Sequence, residues 1–279
     1  MGIITGIGGA VDGINTVRKW SVDSEADLQS YVASNTKGAT GQVAGNVDWN
    51  GSYEAYGHTP VRMPGEIFSF TGNMSNGLGI RGDAIVDDVQ IVADIEAGII
   101  IAHTVNFSGD ELITKGSAVT SDVSLPNPPS SIGTKVALAV PISGNPNSAT
   151  WVELADVRGW TLSLTCDNQP YVDSGTGGGT KRKKGNLSGE VTIPIFTLDP
   201  SNHPSENDVR FVRLYVNATQ YWQIASVMFS AVSGHEVDIE AGAIVGVDLN
   251  AMISSHHTIN SSGVEGEIEK PDLSTYWPF

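Results

Sequence analysis

The sequence predicts an all-β protein with a minor helical part, built as two tandem, similar β-sandwich or barrel domains. Apolar and polar residues alternate over short runs such as Val17-Arg18-Lys19-Trp20-Ser21-Val22-Asp23, the period of a half-buried strand. Charged residues make up only 16% of the 279, below the usual quarter, and a low charge with abundant Ser, Thr, Asn and Gly suits β-rich structure. The chain also repeats itself. Asp94-Ile95-Glu96-Ala97-Gly98 returns 144 positions later as Asp238-Ile239-Glu240-Ala241-Gly242, and Pro60, Asn73, Ile80 and Asn106 meet Pro204, Asn217, Ile224 and Asn250 at the same spacing.

The expected layout is a first β domain over residues 1–118, a Pro/Ser-rich linker over 119–136, a second β domain over 137–263 and an acidic, aromatic tail over 264–279. Residues 1–16 are Gly-rich and carry the turn signal Asp12-Gly13, which fits an N-terminal arm or hairpin. The strand around Trp20 has a counterpart around Trp160, 140 positions on, and Tyr31 with Tyr171 and Gly45 with Gly185 keep that spacing. About four residues are therefore inserted before the second half of the repeat. Residues 34–45 and 174–185, rich in Gly, Thr and Lys, read as long exposed loops. A strand entered through Asn50-Gly51 follows the first of these, matched by the run from Leu187 to Ile193.

Prolines break the pattern over 57–65 and 199–207, where a short helix is expected. Strands resume at Ile67-Phe68-Ser69-Phe70 and at 209–216, then at 85–91 and 222–232. Each repeat closes with its pentapeptide leading into an apolar strand. Pro126, Pro128 and Pro129 mark the linker as an extended spacer, and the C-terminal Tyr276-Trp277-Pro278-Phe279 is expected to dock on its own domain or a neighbouring subunit.

With 15 basic against 31 acidic residues the net charge is −16, the opposite of a surface that grips phosphates, although nucleic acid can pass such a surface without sticking. No apolar run has the length of a membrane-spanning helix, and the start of the chain lacks the pattern of a signal peptide. Cys166 is the sole cysteine, so no intrachain disulfide can form. The Asn-x-Ser/Thr sites then read as turn composition.

No constellation in the sequence supports catalysis, a cofactor or a metal. The run from Gly175 to Lys184 has Thr180 where a phosphate loop needs glycine before its lysine, and no helix signal follows. His256 and His257 are adjacent, so on an extended chain they point to opposite faces. Paired acids at Asp94, Glu96, Asp238 and Glu240 would demand a glycosidase cleft twice over. Asp167 beside Cys166 would raise the thiol pKa, against a nucleophilic role. The expectation is a protein without enzymatic activity. Lys181, Arg182, Lys183 and Lys184, together with those four acids, are candidate contacts between subunits or rings. Trp20, Trp49 and Trp160 are candidate core anchors.

One order of features carries a resemblance. A Trp20 strand, a long Gly/Thr loop, Trp49-Asn50-Gly51-Ser52, Pro64-Gly65-Glu66 leading into Ile67-Phe68-Ser69-Phe70, then Asp94 to Gly98 with Phe107-Ser108-Gly109, is similar to the tail tube (major tail) proteins of long-tailed bacteriophages. The resemblance implies a β-sandwich or barrel flanked by a short helix, polymerised as rings stacked into a hollow tube that DNA traverses as unspecific cargo. It implies rings of three duplicated chains with pseudo-sixfold symmetry, or of six chains. It also implies a virion location after assembly in the host cytoplasm, with tape-measure, terminator and distal tail proteins as partners and no membrane. Other ring-forming virion parts, such as a tail terminator, a distal tail protein or a capsid decoration protein, fit the same features, as does a carbohydrate-binding β-sandwich module.

Overall fold

A computed structural model describes residues 16–253 with Val11 and Ile14, apart from 34–36, 38, 58–59, 75–77, 118–130, 132, 141–148, 176, 197–202, 219 and 237–245. The first half contributes β1 (Val17–Tyr31), β2 (Gly41–Tyr56), β3 (Ile67–Asn73), β4 (Leu78–Asp94), β5 (Ala102–Gly109) and β6 (Thr114–Ser117). The second contributes β7 (Val136–Ala139), β8 (Val152–Glu153), β9 (Gly159–Cys166), β10 (Gln169–Tyr171), β11 (Lys181–Lys183), β12 (Leu187–Phe196), β13 (Val209–Tyr215), β14 (Tyr221–Glu236) and β15 (Gly246–Ile253). Thirteen strands join in one antiparallel sheet, ordered β1-β2-β5-β4-β9-β12-β15-β14-β13-β7-β8, with β3 and β6 also on β4. β10 and β11 form a separate two-stranded ribbon.

The order β1-β2-β5-β4-β3 recurs as β9-β12-β15-β14-β13. Register recurs with it. Ser21 faces Ser52 as Thr161 faces Thr192, and Ser52 faces Asn106 as Thr192 faces Asn250. A bulge falls between Val86 and Asp88 on β4 and between Phe229 and Ala231 on β14, each opposite the step from a buried residue to an asparagine on the partner strand. The β3–β4 and β13–β14 hairpins drift from the sequence spacing. Asn73 pairs with Gly79 and Tyr215 with Tyr221, a separation of 142 positions, so Asn217 sits beyond the place that Asn73 holds.

Alternation explains the core. On β5 the exposure pattern reverses at every residue, as a strand with one buried face must. Trp49 and Phe107 lie with centroids 6.1 Å apart, edge to face, and Phe70 lies 4.8 Å from Phe107. The indole N–H of Trp49 donates to the Glu111 carbonyl at 2.8 Å, and that of Trp160 to the Tyr215 carbonyl at 3.1 Å, so neither burial strands a donor. Buried apolar residues of both halves form one continuous cluster.

Several expectations change. Among the described residues no helix forms, and residues 60–66 are bends and turns whose backbone is held by Glu66, which accepts from the Met63 N–H at 3.0 Å. The expected loops are shorter than read, because β2 already begins at Gly41 and Lys181–Lys183 is a strand. A 15-residue β1 needs an equally long partner for its backbone groups, and glycines do not prevent pairing. Asp94-Ile95-Glu96-Ala97-Gly98 is the turn that closes β4 and leads, as expected, into the apolar strand β5. The Asp94 carboxylate accepts from the Ala97 N–H at 2.9 Å, and Gly98 takes φ +60°. The central prolines of the linker, the pentapeptide copy at 238–242, His256, His257 and the tail lie outside the described residues.

Candidate functional site

The sheet passes from one half of the chain to the other at a single seam, where Asp88–Asp94 of β4 pairs with Gly159–Thr165 of β9. Backbone hydrogen bonds begin it and side chains close its ends. Arg158 accepts from the Ile95 and Glu96 N–H groups at 2.8 and 3.2 Å, while its guanidinium donates to the Glu96 carboxylate and lies 4.7 Å above the Phe196 ring. Ser131 donates to the Asp94 carbonyl at 2.5 Å. At the other end Asn168 donates to the Val86 carbonyl at 2.9 Å and to Asp87 at 2.8 Å. Between them Gln90 faces Ser163 at 3.5 Å.

Next to the seam, the β10–β11 ribbon lies as a strap on the first half. Val47 donates to the Gly178 carbonyl at 2.8 Å and Thr180 to the Val47 carbonyl at 3.2 Å. Arg182 grips Asp48 through both guanidinium nitrogens, at 2.7 and 3.0 Å, and also donates to the Gly109 carbonyl. Its backbone N–H donates to Asp110 at 2.6 Å. Lys181 pairs with Glu111 at 3.0 Å, and that hydrogen bond raises the lysine pKa. The two-pronged fork of Arg182, whose side chain is only 10% exposed although Asp48 is 48% exposed, makes its pair the stronger of the two.

The predicted contact residues therefore divide. Glu96, Lys181 and Arg182 make contacts inside the chain, across its two halves. Asp94 caps a turn at the seam. Lys183 and Lys184 stay exposed, and Asp238 and Glu240 lie outside the described residues. Trp49 and Trp160 are buried anchors, whereas Trp20 is only half covered. Sequence reasoning missed Arg158, Asn168 and Asp48. Arg158 had a signal, because it stands to Trp160 as Arg18 stands to Trp20; Asn168 and Asp48 have none, since Leu28 and Ser188 occupy the matching places.

Of the edges left open among the described residues, β8 at the far end of the sheet included, two correspond to the strands of the seam. β1 ends the sheet, with no strand beyond it among the described residues. On β14, the Asn207 N–H donates to the Phe229 carbonyl at 2.7 Å and the Phe229 N–H to the Asp208 carbonyl at 3.0 Å, as Gly65 and Glu66 do around Val86 at 2.8 and 3.0 Å. Past Val86, β4 is taken up by β9. Past Phe229, β14 has no partner on that side among the described residues.

Among the described residues no three His, Cys, Asp or Glu side chains gather as a metal site, and no helix is long and apolar enough to cross a membrane. A scan against protein-family models gives no match, and a search of curated proteins finds no similar sequence.

Proposed function

We propose that this chain is a structural protein that assembles with copies of itself into rings, stacked as the tail tube of a long-tailed bacteriophage. The observation that carries the reading is the β4–β9 seam. It sets two runs of the same strand order side by side, edge to edge, within one chain. A contact of that kind is head to tail, and repeated by rotation it closes a ring. On this reading the chain is the product of a tandem duplication, each chain fills two neighbouring positions, and three chains make a pseudo-sixfold ring.

The remaining features fit. Bare strand edges on a soluble protein invite pairing, and a closed ring removes them. A net charge of −16 repels nucleic-acid phosphates, so DNA can slide through such a tube without being held. The motifs around Trp20, Trp49, Pro64-Gly65-Glu66 and Asp94 to Gly98 resemble those of tail tube proteins. Tape-measure, terminator and distal tail proteins would then be its partners, in the virion tail.

Negative-stain electron microscopy of the purified chain, with sedimentation over a range of concentrations, tests this. Three-chain rings and hollow filaments of open-ended length are the expected result. Monomers persisting at high concentration would overturn it, and closed rings that never stack would move the reading to a terminator or decoration protein.

A further inference from the structure

We infer that the free edge of β1 pairs with the open edge of β14 in a second copy of this chain, in the register that β9 takes on β4. This rests on the ring assembly proposed above and gives it a specific contact.

The argument starts from β9. Its register on β12 equals that of β1 on β2 at a constant separation of 140 positions, so each β9 residue has a defined β1 counterpart. The β14 counterparts of β4 follow in the same way from the neighbouring strands. Asp88, Gln90 and Val92 face Asn106, Thr104 and Ala102, while Ala231, Ser233 and Glu236 face Asn250, Asp248 and Gly246, which lie 144 positions further on. The seam itself pairs Asp88 with Thr165, Gln90 with Ser163 and Val92 with Thr161. Carried over, Ala231 faces Glu25, Ser233 faces Asp23 and Glu236 faces Ser21 of the second copy. None of these pairs sets two acids opposite each other.

The ends of the contact have counterparts too. Arg18 holds the place of Arg158, and within its own chain it is only 3.8 Å from Glu54 with both side chains well exposed. Beyond Ala26, the β1–β2 hairpin continues where the second half has its strap, and its register slips between Ala26 and Leu28 as β9 gives way to β10 after Cys166. Where the strap lies against the first half, this hairpin ends in Leu28 at 56% and Val32 at 65% exposure. An extended edge strand with apolar residues at its tip is what the second copy would cover.

Cysteine cross-linking tests the register. In a Cys166→Ala background, Asp23→Cys with Ser233→Cys is oxidised at the high protein concentration used for microscopy and run on a non-reducing gel. We expect a covalent series ending in a closed three-chain species. Gln29→Cys with Ser233→Cys, displaced by six residues or about 20 Å along the strand, stays unlinked. Tubes in the microscope with no link from the first pair, or with a link from the second, would overturn the pairing and leave the tube reading standing. Linked three-chain species without tubes would support the pairing against the tube. A chain that stays monomeric and unlinked overturns both.

Discussion

β1 and β9 begin alike, with Val17-Arg18-Lys19-Trp20 in one and Val157-Arg158-Gly159-Trp160 leading into the other, and they hold their inner partner strands in the same register. Their surroundings differ. β9 is covered by β4 on its second side and buries seven of its eight residues at least in part, with Trp160 1% exposed. Among the described residues β1 has no second neighbouring strand, and only Val17, Trp20 and Val22 of its fifteen residues are partly buried. Burial here is conferred by the adjoining strand, so an alternating pattern alone does not tell an interior strand from an edge awaiting a partner.

The comparison breaks most readily at the tryptophans. Trp160→Ala should cost about 3–5 kcal/mol in urea unfolding of the dispersed chain, and Trp20→Ala about half as much. Equal costs would mean that the two strands are equally buried. A second pair concerns the bend after each strand. A β-carbon at Gly185 would lie 1.6 Å from the Asp167 carbonyl oxygen, and one at Gly45 2.8 Å from that of Asp27. Gly185→Ala should therefore cost about 3 kcal/mol and Gly45→Ala clearly less, read as the difference in unfolding midpoints.

The strap gives a smaller effect. Arg182→Ala removes a two-pronged grip on Asp48 and should cost about 2 kcal/mol, while Gln42→Ala, at the matching place, should change stability little. The smallest effect is one of pH. His103, in β5, is almost wholly buried and burial lowers its pKa below the ordinary 6.5, against a hydrogen bond with the Gly57 carbonyl at 3.0 Å. The unfolded chain then takes up the proton first. The contribution is complete above pH 6.5 and is lost as the pH falls towards the folded-state pKa. The matching residue in β15 is Val247, so thermal melts of His103→Val between pH 7 and 5 should lose part of the acid sensitivity of the parent.

Much of this architecture was legible in the sequence because alternation and repetition are backbone-scale signals. Spacings of 140 and 144 positions reappear as strand registers, and Trp49 and Trp160 are buried as read. What could not be read depends on which strand lies alongside. Lys181 and Arg182 look like a solvated basic run until Asp48 and Glu111 are brought beside them by a ribbon that crosses to the other half. The merely partial burial of Trp20 was hidden for the same reason. Glycine-rich composition misled at Gly41 and Gly45, where small residues permit close strand approach rather than a loop.

The β4–β9 seam has a kinetic meaning as well. Its strands are tethered by their own chain, with Asp94 and Gly159 separated by 64 intervening residues, so they meet at an effective concentration in the millimolar range, set by the tether and not by expression level. An identical contact between separate chains would be a second-order event and would fail on dilution. On the proposed assembly, half of all such contacts are formed before any two molecules meet.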